Sequence, residues 1–280
     1  MTTEQQARHD SEYQSLQALF IALLRSLRDG DTEESLYALC ELKTDFAFKH
    51  VLDGLVVEYD EAIILLQSAN DDNLTQHDKE LRNRLIAAIQ NLIDFSVCEE
   101  YQLYDEAVEM LGDSELDFNS EDYEDLLAIC EKYNDTYASI ENSDIEYAGK
   151  IAAMWIRMSA NDYVVYWTQN DAKVRPWHMA LQGYVAPRDE FPSWMIPPIE
   201  YNCRCFLEIL EVASVNGKLY QFKGAAKDIE KPQKINNVYS ESLAKCGRIF
   251  GPSHNYFIIK EDDKEMLQGF VTKLKEKYHV

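Results

Sequence analysis

Six side chains between residues 171 and 205 are of the types that bind metal ions, transfer protons or act as nucleophiles. They are Asp171, Arg175, His178, Cys203, Arg204 and Cys205. The surrounding stretch, residues 167–206, also contains three of the four Trp and five of the seven Pro residues of the chain. Because proline fixes one backbone dihedral and lacks an N–H donor, we predict an ordered loop between two strands.

Zinc is one ligand that three of these residues could bind. His178, Cys203 and Cys205 offer an imidazole and two thiolates, which are zinc ligands. A structural zinc site takes four such ligands, however, and only three are obvious in the sequence. Cys-x-Cys is also a weaker signal than the Cys-x2-Cys spacing of zinc knuckles. We therefore expect no cofactor, with zinc at these three residues as the alternative.

Catalysis is the second chemical alternative. His178 could act as a base for a Cys203 or Cys205 nucleophile, or work with Asp171 and Arg175 in a hydrolase, nuclease or transferase. Such roles need hydrogen-bond contact between the groups, which a sequence does not show. Neither phosphate-binding pattern, G-x-G-x-x-G or G-x4-G-K-[ST], occurs in the chain. We expect that the protein is not an enzyme.

A structural role for the stretch is the interpretation that we favour. Asp171 and Arg175 bracket a short turn, which a charge-assisted pair could hold. Pro176 stiffens the backbone before His178. Arg204 lies between two cysteines in an extended segment, so it should point away from both of them. The two thiols would then face the interior as small apolar groups.

Two dense blocks in this stretch carry a resemblance to a known family. The first reads W-T-x-N-D-x-x-V-R-P-x-H-x-x-L-x-G, and the second reads P-P-x-x-Y-N-C-R-C. In this order and at this spacing they resemble the phage Mu F-like minor head protein family. The family positions that this sequence fills are Trp167, Asp171, Val174, Arg175, Pro176, His178, Leu181, Gly183, Pro197, Pro198, Cys203, Arg204 and Cys205.

The resemblance covers residues 150–260, with a weaker echo at 247–250 and 254–257. It implies a minor head protein of a phage or a prophage-derived particle, acting as a structural protein in head morphogenesis. The implied partners are the portal or other head proteins. The implied location is the host cytoplasm during assembly and then the virion head. Relatives often carry Cys at the positions of Arg175 and His178 and His at that of Glu200, a set that looks able to bind metal. This sequence departs from it at Arg175 and Glu200.

Short strands must position the motif residues. The β-forming run 163–166 precedes them and residues 205–212 follow them. Residues 218–222 and 256–260 have the same composition and are also predicted to be strands.

Helices are predicted for the rest of the chain, because apolar residues recur there at three- and four-residue spacing. Gly30 and Gly54 are expected to end the first two helices. No Pro occurs before Pro176, as a helical bundle requires. The predicted helical segments lie at 16–27, 32–52, 58–68, 81–93, 103–111, 123–133, 144–162 and 261–280.

These elements predict an α+β fold, in which an acidic all-α bundle is followed by a compact α+β domain with short strands and a C-terminal helix. The predicted domains are residues 1–143 and residues 144–280, and the second includes the helix 261–280.

Charge is distributed unevenly along the chain. Residues 1–150 contain 35 acidic and 10 basic residues, a net charge of −25, whereas residues 151–280 contain 15 and 17, a net charge of +2. A half with such a charge repels nucleic acid, so nucleic-acid binding through residues 1–150 is not expected. Charged outer faces of amphipathic helices explain the composition. A third functional alternative is an acidic, DNA-mimic inhibitor built on residues 1–145.

The start of the sequence and the cysteines favour a reducing cytoplasm. The first residues lack the basic start and apolar core of a signal peptide. The best apolar run, residues 19–24, is far shorter than the ~20 residues that span a membrane, so no membrane association is expected. Cys40, Cys98 and Cys130 are predicted to be buried free thiols on helices.

Overall fold

The computed structural model describes residues 2–29, 31–68, 73–112, 116–210 and 237–280. Helices dominate these ranges, and a π-helix (Lys132–Tyr137) joins the fifth helix to the sixth. Short 3-10 helices occur at Ser193–Met195, Asn237–Tyr239, Leu243–Lys245, Asn255–Phe257 and Glu261–Asp263. The α-helices are α1 (Thr3–Asp29), α2 (Thr32–Leu55), α3 (Tyr59–Gln67), α4 (Gln76–Leu111), α5 (Glu121–Glu131), α6 (Ala138–Arg157), α7 (Pro176–Ala180) and α8 (Lys264–Lys277).

Within the described residues one antiparallel sheet forms, from β1 (Tyr163–Trp167), β2 (Val185–Pro187) and β3 (Phe206–Leu210) in the order β2-β1-β3. In its register, Val164 pairs with Ala186 on one side and with Ile209 on the other. Val164 and Val165 of the central strand are fully buried in two different hydrophobic clusters. The central strand is therefore covered on both faces, as its β-branched and aromatic residues favour.

The predicted α+β class is confirmed. Several helices are longer than predicted, because α1 already begins at Thr3 and α4 at Gln76, before the apolar stripes that start at residues 16 and 81. The predicted segments 81–93 and 103–111 belong to one long helix, α4. The predicted helix 144–162 is extended and shifted, because α6 begins at Ala138 and ends at Arg157.

Two strand predictions at the flanks of the motif are confirmed, as β1 and as β3. The prediction of a strand at 256–260 was wrong. A 3-10 helix forms at Asn255–Phe257 instead, because the side chain of His254 accepts a hydrogen bond from the backbone N–H of Tyr256. The carbonyls of Tyr256 and Ile258 accept hydrogen bonds from the Gln102 side chain, so they do not pair with a strand. The predicted strand 218–222 lies outside the described residues.

Two compact units are formed by interleaved segments of the chain. Unit 1 consists of residues 1–50, 89–143 and 254–280, and unit 2 of residues 51–88 and 144–253. One boundary lies between Ser143 and Asp144, where the sequence analysis divides the chain, and the division into two domains stays a prediction. Helix α8 belongs to unit 1, whereas the sequence analysis grouped it with the second half.

Aromatic side chains explain why α8 packs in unit 1. Phe270 and Tyr278 are fully buried. Phe270 makes an edge-on contact with Tyr37, and Tyr278 makes one with Phe48, both on α2. The basic ammonium of Lys277 also lies 2.8 Å from the carboxylate of Asp45. The amphipathic helix thus covers an acidic helix with its apolar face and supplies it with a cation.

A polar cluster of five buried side chains lies inside unit 1. The Lys43 ammonium donates to Glu99 (2.9 Å) and to Asn134 (2.8 Å), and the Asn134 amide donates to Glu100 (3.2 Å). Glu141 accepts a hydrogen bond from Tyr256. Burial raises the pKa of Glu100 to about 8, and burial followed by the neighbouring charge of Glu99 raises that of Glu141. We name these five residues (Lys43, Glu99, Glu100, Asn134 and Glu141) the carboxylate cluster.

Unit 2 contains a close crossing of α2 and α6 at two glycines. A Cβ atom on Gly54 would lie 2.1 Å from the carbonyl oxygen of Glu146, and one on Gly149 would lie 2.6 Å from that of Val51. Gly54 was predicted to end its helix, but α2 continues to Leu55. Gly30, predicted to end the first helix, lies outside the described residues. Gly54 is required by the approach of the second backbone rather than by a helix end.

None of the described helices has both the length and the apolar character that crossing a bilayer would require.

Candidate functional site

The motif stretch folds over one hydrophobic cluster of unit 2. Trp155 of α6, Tyr166 of β1 and Leu207 of β3 are among its buried members. His178 lies on the short helix α7, which begins with Pro176. Proline suits this first position, because no intrahelical acceptor exists there for the N–H that it lacks. The sheet and α7 thus bring the two halves of the motif together on one core.

Three potential metal-binding side chains converge in this core. The Nδ1 atom of His178 lies 3.3 Å from the sulfur of Cys205 and 3.8 Å from that of Cys203. The three ligand atoms all lie within 4.8 Å of one another. Each side chain is almost entirely buried, with 2% of His178, 5% of Cys203 and 2% of Cys205 exposed. We name this group the Cys–His cluster.

The carboxylate of Glu200 contacts the imidazole from its other side. Its Oε2 atom lies 3.2 Å from Nε2 of His178 and 2.9 Å from Nε of Arg175, and it accepts a hydrogen bond from Trp177 at 3.2 Å. An ionised carboxylate only accepts hydrogen bonds, so Nε2 of His178 carries the proton in this contact. The Nδ1 atom then presents its lone pair to the two sulfurs.

Hydrogen bonding gives the two thiols different acidities. The contact between the two side chains raises the pKa of Cys203 and lowers the pKa of Cys205, as expected if Cys203 donates to Cys205. Burial adds to the upward shift for Cys203. The backbone of Cys205 is held separately, because its carbonyl accepts a hydrogen bond from the Tyr147 hydroxyl.

Tyr166 completes the surroundings of the sulfurs. Burial, followed by the negative charge of Cys203 and Cys205, raises the pKa of its hydroxyl. Hydrogen bonding between this hydroxyl and the sulfur of Cys205 also raises the pKa of Tyr166 and lowers that of Cys205.

Arg204 lies outside the cluster although it separates the two cysteines. It is exposed and forms a bidentate pair with Asp171, at 2.7 and 2.8 Å. This hydrogen bonding lowers the pKa of Asp171 to about 2. The expected pair of Asp171 with Arg175 was wrong, because Arg175 faces Glu200 and donates to the carbonyl of Tyr201.

A buried carboxylate fixes the backbone immediately before Cys203. Asp144 of α6 accepts the N–H of Asn202 with both oxygens, at 3.1 and 2.9 Å, and the Tyr239 hydroxyl at 2.8 Å. Asn202 has a positive φ of 55°, which asparagine tolerates better than most residues. Burial raises the pKa of Asp144 to about 7, although these hydrogen bonds oppose the shift.

The remaining motif residues shape the chain and do not join the cluster. Trp167 donates its indole N–H to Glu208. Gly183 has a positive φ of 78° and donates its N–H to the carbonyl of Tyr166, so it closes the turn between β1 and β2. Pro197 and Pro198 are joined by a cis peptide bond.

Two kinds of chemistry fit the Cys–His cluster. Glu200, His178 and Cys205 form a carboxylate–imidazole–thiol line, which is the order of groups in cysteine-nucleophile enzymes. The same imidazole and two thiols are also a nitrogen and two sulfurs at metal-binding separations. Because the sulfurs are buried, a substrate would have no access to them in this conformation. The geometry therefore favours a structural or metal-binding role over a nucleophile.

Sequence reasoning missed four residues of the site, namely Glu200, Asp144, Tyr147 and Tyr166. Glu200 was noted only as a departure from the family pattern, and the other three carry no local signal. Asp144 and Tyr147 lie seven and four residues before Ile151, on a helix that looks ordinary in the sequence. The useful signal would have been a polar residue on the apolar face of a helix.

Comparison with known families identifies the region. Residues 107–208 match the model of the family described as Phage Mu protein F like protein. The match includes the motif, which confirms the resemblance. It begins inside the acidic half of the chain, earlier than residue 150, and ends within β3, before the weaker echo at 247–257.

An uncharacterized protein of Methanocaldococcus jannaschii is 44% identical over 45 residues, which are 16% of this chain and 7% of that protein. This chain therefore aligns with a small part of the curated relative. No solved structure matches the chain.

Proposed function

We propose that this protein is a minor head protein of a phage or prophage-derived particle, acting in head morphogenesis as a structural and interaction protein. The match of residues 107–208 to the Phage Mu protein F like family carries the proposal, because this family suggests a phage head-related protein. The proposed partners are the portal or other head proteins. The proposed location is the host cytoplasm during assembly and then the virion head.

The contacts of the motif loop support a docking role. Hydrogen bonds fix its backbone and side chains. Arg204 donates to Asp171, and Arg175 donates to the carbonyl of Tyr201. Asp144 accepts from the N–H of Asn202. A loop fixed in this way loses little conformational entropy when it binds a partner. Phe206, beside the motif on β3, is 40% exposed and offers an apolar group for such a contact. Recruitment into the head then needs no bond chemistry.

Particle composition tests the proposal. Particles are purified from a strain that expresses the wild-type chain and from one that lacks residues 163–212, and head proteins are quantified by mass spectrometry. We expect the wild-type chain in the head and loss of the deletion variant. Normal incorporation of the deletion variant would overturn the proposal.

A point variant separates docking from folding. Phe206→Ser changes an exposed side chain of the motif region, and Ile258→Ser is the matched control, since Ile258 is 74% exposed in unit 1. With both variants folded by circular dichroism, we expect Phe206→Ser to reduce incorporation and Ile258→Ser to leave it unchanged. Equal incorporation of both variants would show that Phe206 does not contribute to docking.

A particle-associated enzyme is the second candidate, and the line from Glu200 through His178 to Cys205 is the observation that favours it. The test is His178→Ala. Loss of stability indicates the structural role. Retained folding together with loss of toxicity or of nucleic-acid cleavage would indicate the enzyme.

A further inference from the structure

The Cys–His cluster has the spacing of a tetrahedral metal site. With Zn–S bonds of about 2.3 Å and Zn–N bonds of about 2.0–2.1 Å, tetrahedral angles place nitrogen and sulfur ligands about 3.6 Å apart. The observed separations from Nδ1 of His178, 3.3 Å to Cys205 and 3.8 Å to Cys203, lie on either side of that value. The two sulfurs lie within 4.8 Å of each other, so a single ion could bind all three atoms after small shifts.

The imidazole is oriented for such a role by Glu200, which was noted from the sequence only as a departure from the family pattern. Glu200 accepts a hydrogen bond from the Nε2–H group of His178, so the lone pair of Nδ1 is directed at the sulfurs. Metal-binding histidines almost always donate their second nitrogen to a carboxylate, a carbonyl or water in this way. Glu200 is itself held by Arg175 and Trp177, so the orientation of the ring is set by contacts on both sides.

The local charges balance when a divalent cation is present. Two thiolates neutralise the two charges of the ion, and the charge of Glu200 is neutralised by Arg175 at 2.9 Å. Arg204 does not contribute, because it pairs with Asp171 at the surface. Buried charges need such compensation, since the interior solvates them poorly.

We propose that His178, Cys203 and Cys205 bind one zinc ion, which joins α7 to the segment preceding β3. The fourth position is left to a water molecule. Three protein ligands and a water molecule are the ligand count of an open zinc site rather than of a four-ligand structural one. The ion would also join two buried chain segments more than twenty residues apart. This proposal does not depend on the proposed head function.

Metal binding is measured on the full-length chain. Apoprotein prepared with a chelator is titrated with zinc chloride in competition with a chromophoric chelator, and metal content is measured after dialysis. We expect one equivalent of zinc per chain. Cobalt chloride should give the near-ultraviolet sulfur-to-cobalt band and the visible bands of a tetrahedral site. Absence of both zinc retention and the sulfur-to-cobalt band in folded wild-type protein would overturn the proposal.

Three variants test the assignment of ligands. Cys203→Ser and Cys205→Ser should lose zinc, and the matched control Cys246→Ser, at an exposed cysteine, should keep it. Glu200→Gln should weaken the affinity by about 10–100-fold, as loss of a residue that orients a ligand does. Zinc retained by both serine variants would overturn the assignment. If the serine variants fail to fold, the wild-type cobalt spectrum and Glu200→Gln decide the question, and particle incorporation is measured separately.

Discussion

The carboxylate cluster of unit 1 and the Cys–His cluster of unit 2 are both buried and polar, but they are built from the sequence in different ways. Lys43 bonds to Glu99 and Asn134, which lie 56 and 91 residues further along the chain. His178 bonds to Cys205 only 27 residues away. The first cluster depends on helix packing, and the second depends on one braced loop.

The two clusters also differ in how their charge is compensated. Unit 1 places three carboxyl groups around one ammonium. The excess negative charge is removed by protonation of carboxyl groups, as the raised pKa values of Glu100 and Glu141 indicate. Unit 2 pairs Glu200 with Arg175 and His178. An acidic half can therefore hold part of its charge inside the fold, in a form that depends on pH.

The largest effect should follow from removing the only ammonium of the carboxylate cluster. Lys43→Met leaves Glu99 buried without its cation, so we expect the free energy of unfolding to fall by about 3–5 kcal/mol at pH 8. The loss should be smaller at pH 5, where the carboxyl groups are more easily protonated. Urea unfolding at both pH values measures it. Lys264→Met, at an exposed pair with Glu261, is the control and should change little; equal losses would contradict the prediction.

A pH effect of a few kcal/mol is expected from Asp144 in unit 2. Its pKa is raised from 3.8 to about 7 in the folded protein, so ionisation favours the unfolded chain. Its contribution to stability is complete below about pH 4 and is lost as the pH rises through 7. Asn202, Tyr239 and Arg175 are the groups that oppose the shift.

Asp144→Asn tests this contribution. The variant cannot ionise at this position, so its stability should fall less steeply between pH 4 and pH 7 than that of the wild type, by an amount on the order of a few kcal/mol. Urea unfolding across this range compares the slopes, which removes any constant cost of the amide. Parallel curves would show that Asp144 ionises normally in the folded protein.

A smaller loss should follow from filling the helix crossing of unit 2. Gly149→Ala places a methyl group 2.6 Å from the carbonyl oxygen of Val51, and we expect a loss of about 1–3 kcal/mol. Gly269→Ala on α8 is the control, because a Cβ there meets nothing within 4 Å. This control should gain up to about 1 kcal/mol from helix propensity. Thermal unfolding distinguishes the two signs.

The smallest effect should come from the exposed pair of Asp171 and Arg204. Both side chains are more than 40% exposed, and water screens such pairs. We expect Asp171→Asn to leave the midpoint of urea unfolding unchanged within error. A clear shift would mean that this surface pair holds the loop as firmly as the buried contacts do.

Much of the fold was predictable, because periodic apolar residues and local β-formers identify helices and strands directly. Tyr163–Trp167 and the stripe of Leu81, Leu85 and Ile89 are examples. The strand expected at 256–260 failed because hydrogen bonds from Gln102 and the His254 side chain determine that backbone. Such contacts are tertiary and leave no local pattern.

For the candidate site, the sequence pointed to His178, Cys203 and Cys205, and the structure brings them together. It did not indicate that Glu200 would orient the imidazole or that Arg175 would turn away from Asp171. The carboxylate cluster was missed altogether. Its glutamates were interpreted as charges on the outer faces of helices. A buried glutamate can be recognised only when its ion-pair partner is known, and that partner lies far away in the sequence.

The position of α8 has a consequence for synthesis of the chain on the ribosome. Phe270, Leu274 and Tyr278 fill the interior against helices made near the start of translation. More than two hundred further residues must therefore be translated before α8 can pack against these early helices and bury their apolar side chains. A premature stop codon after residue 253 would leave the earliest-made helices with an open apolar face, which chaperones or proteases would recognise.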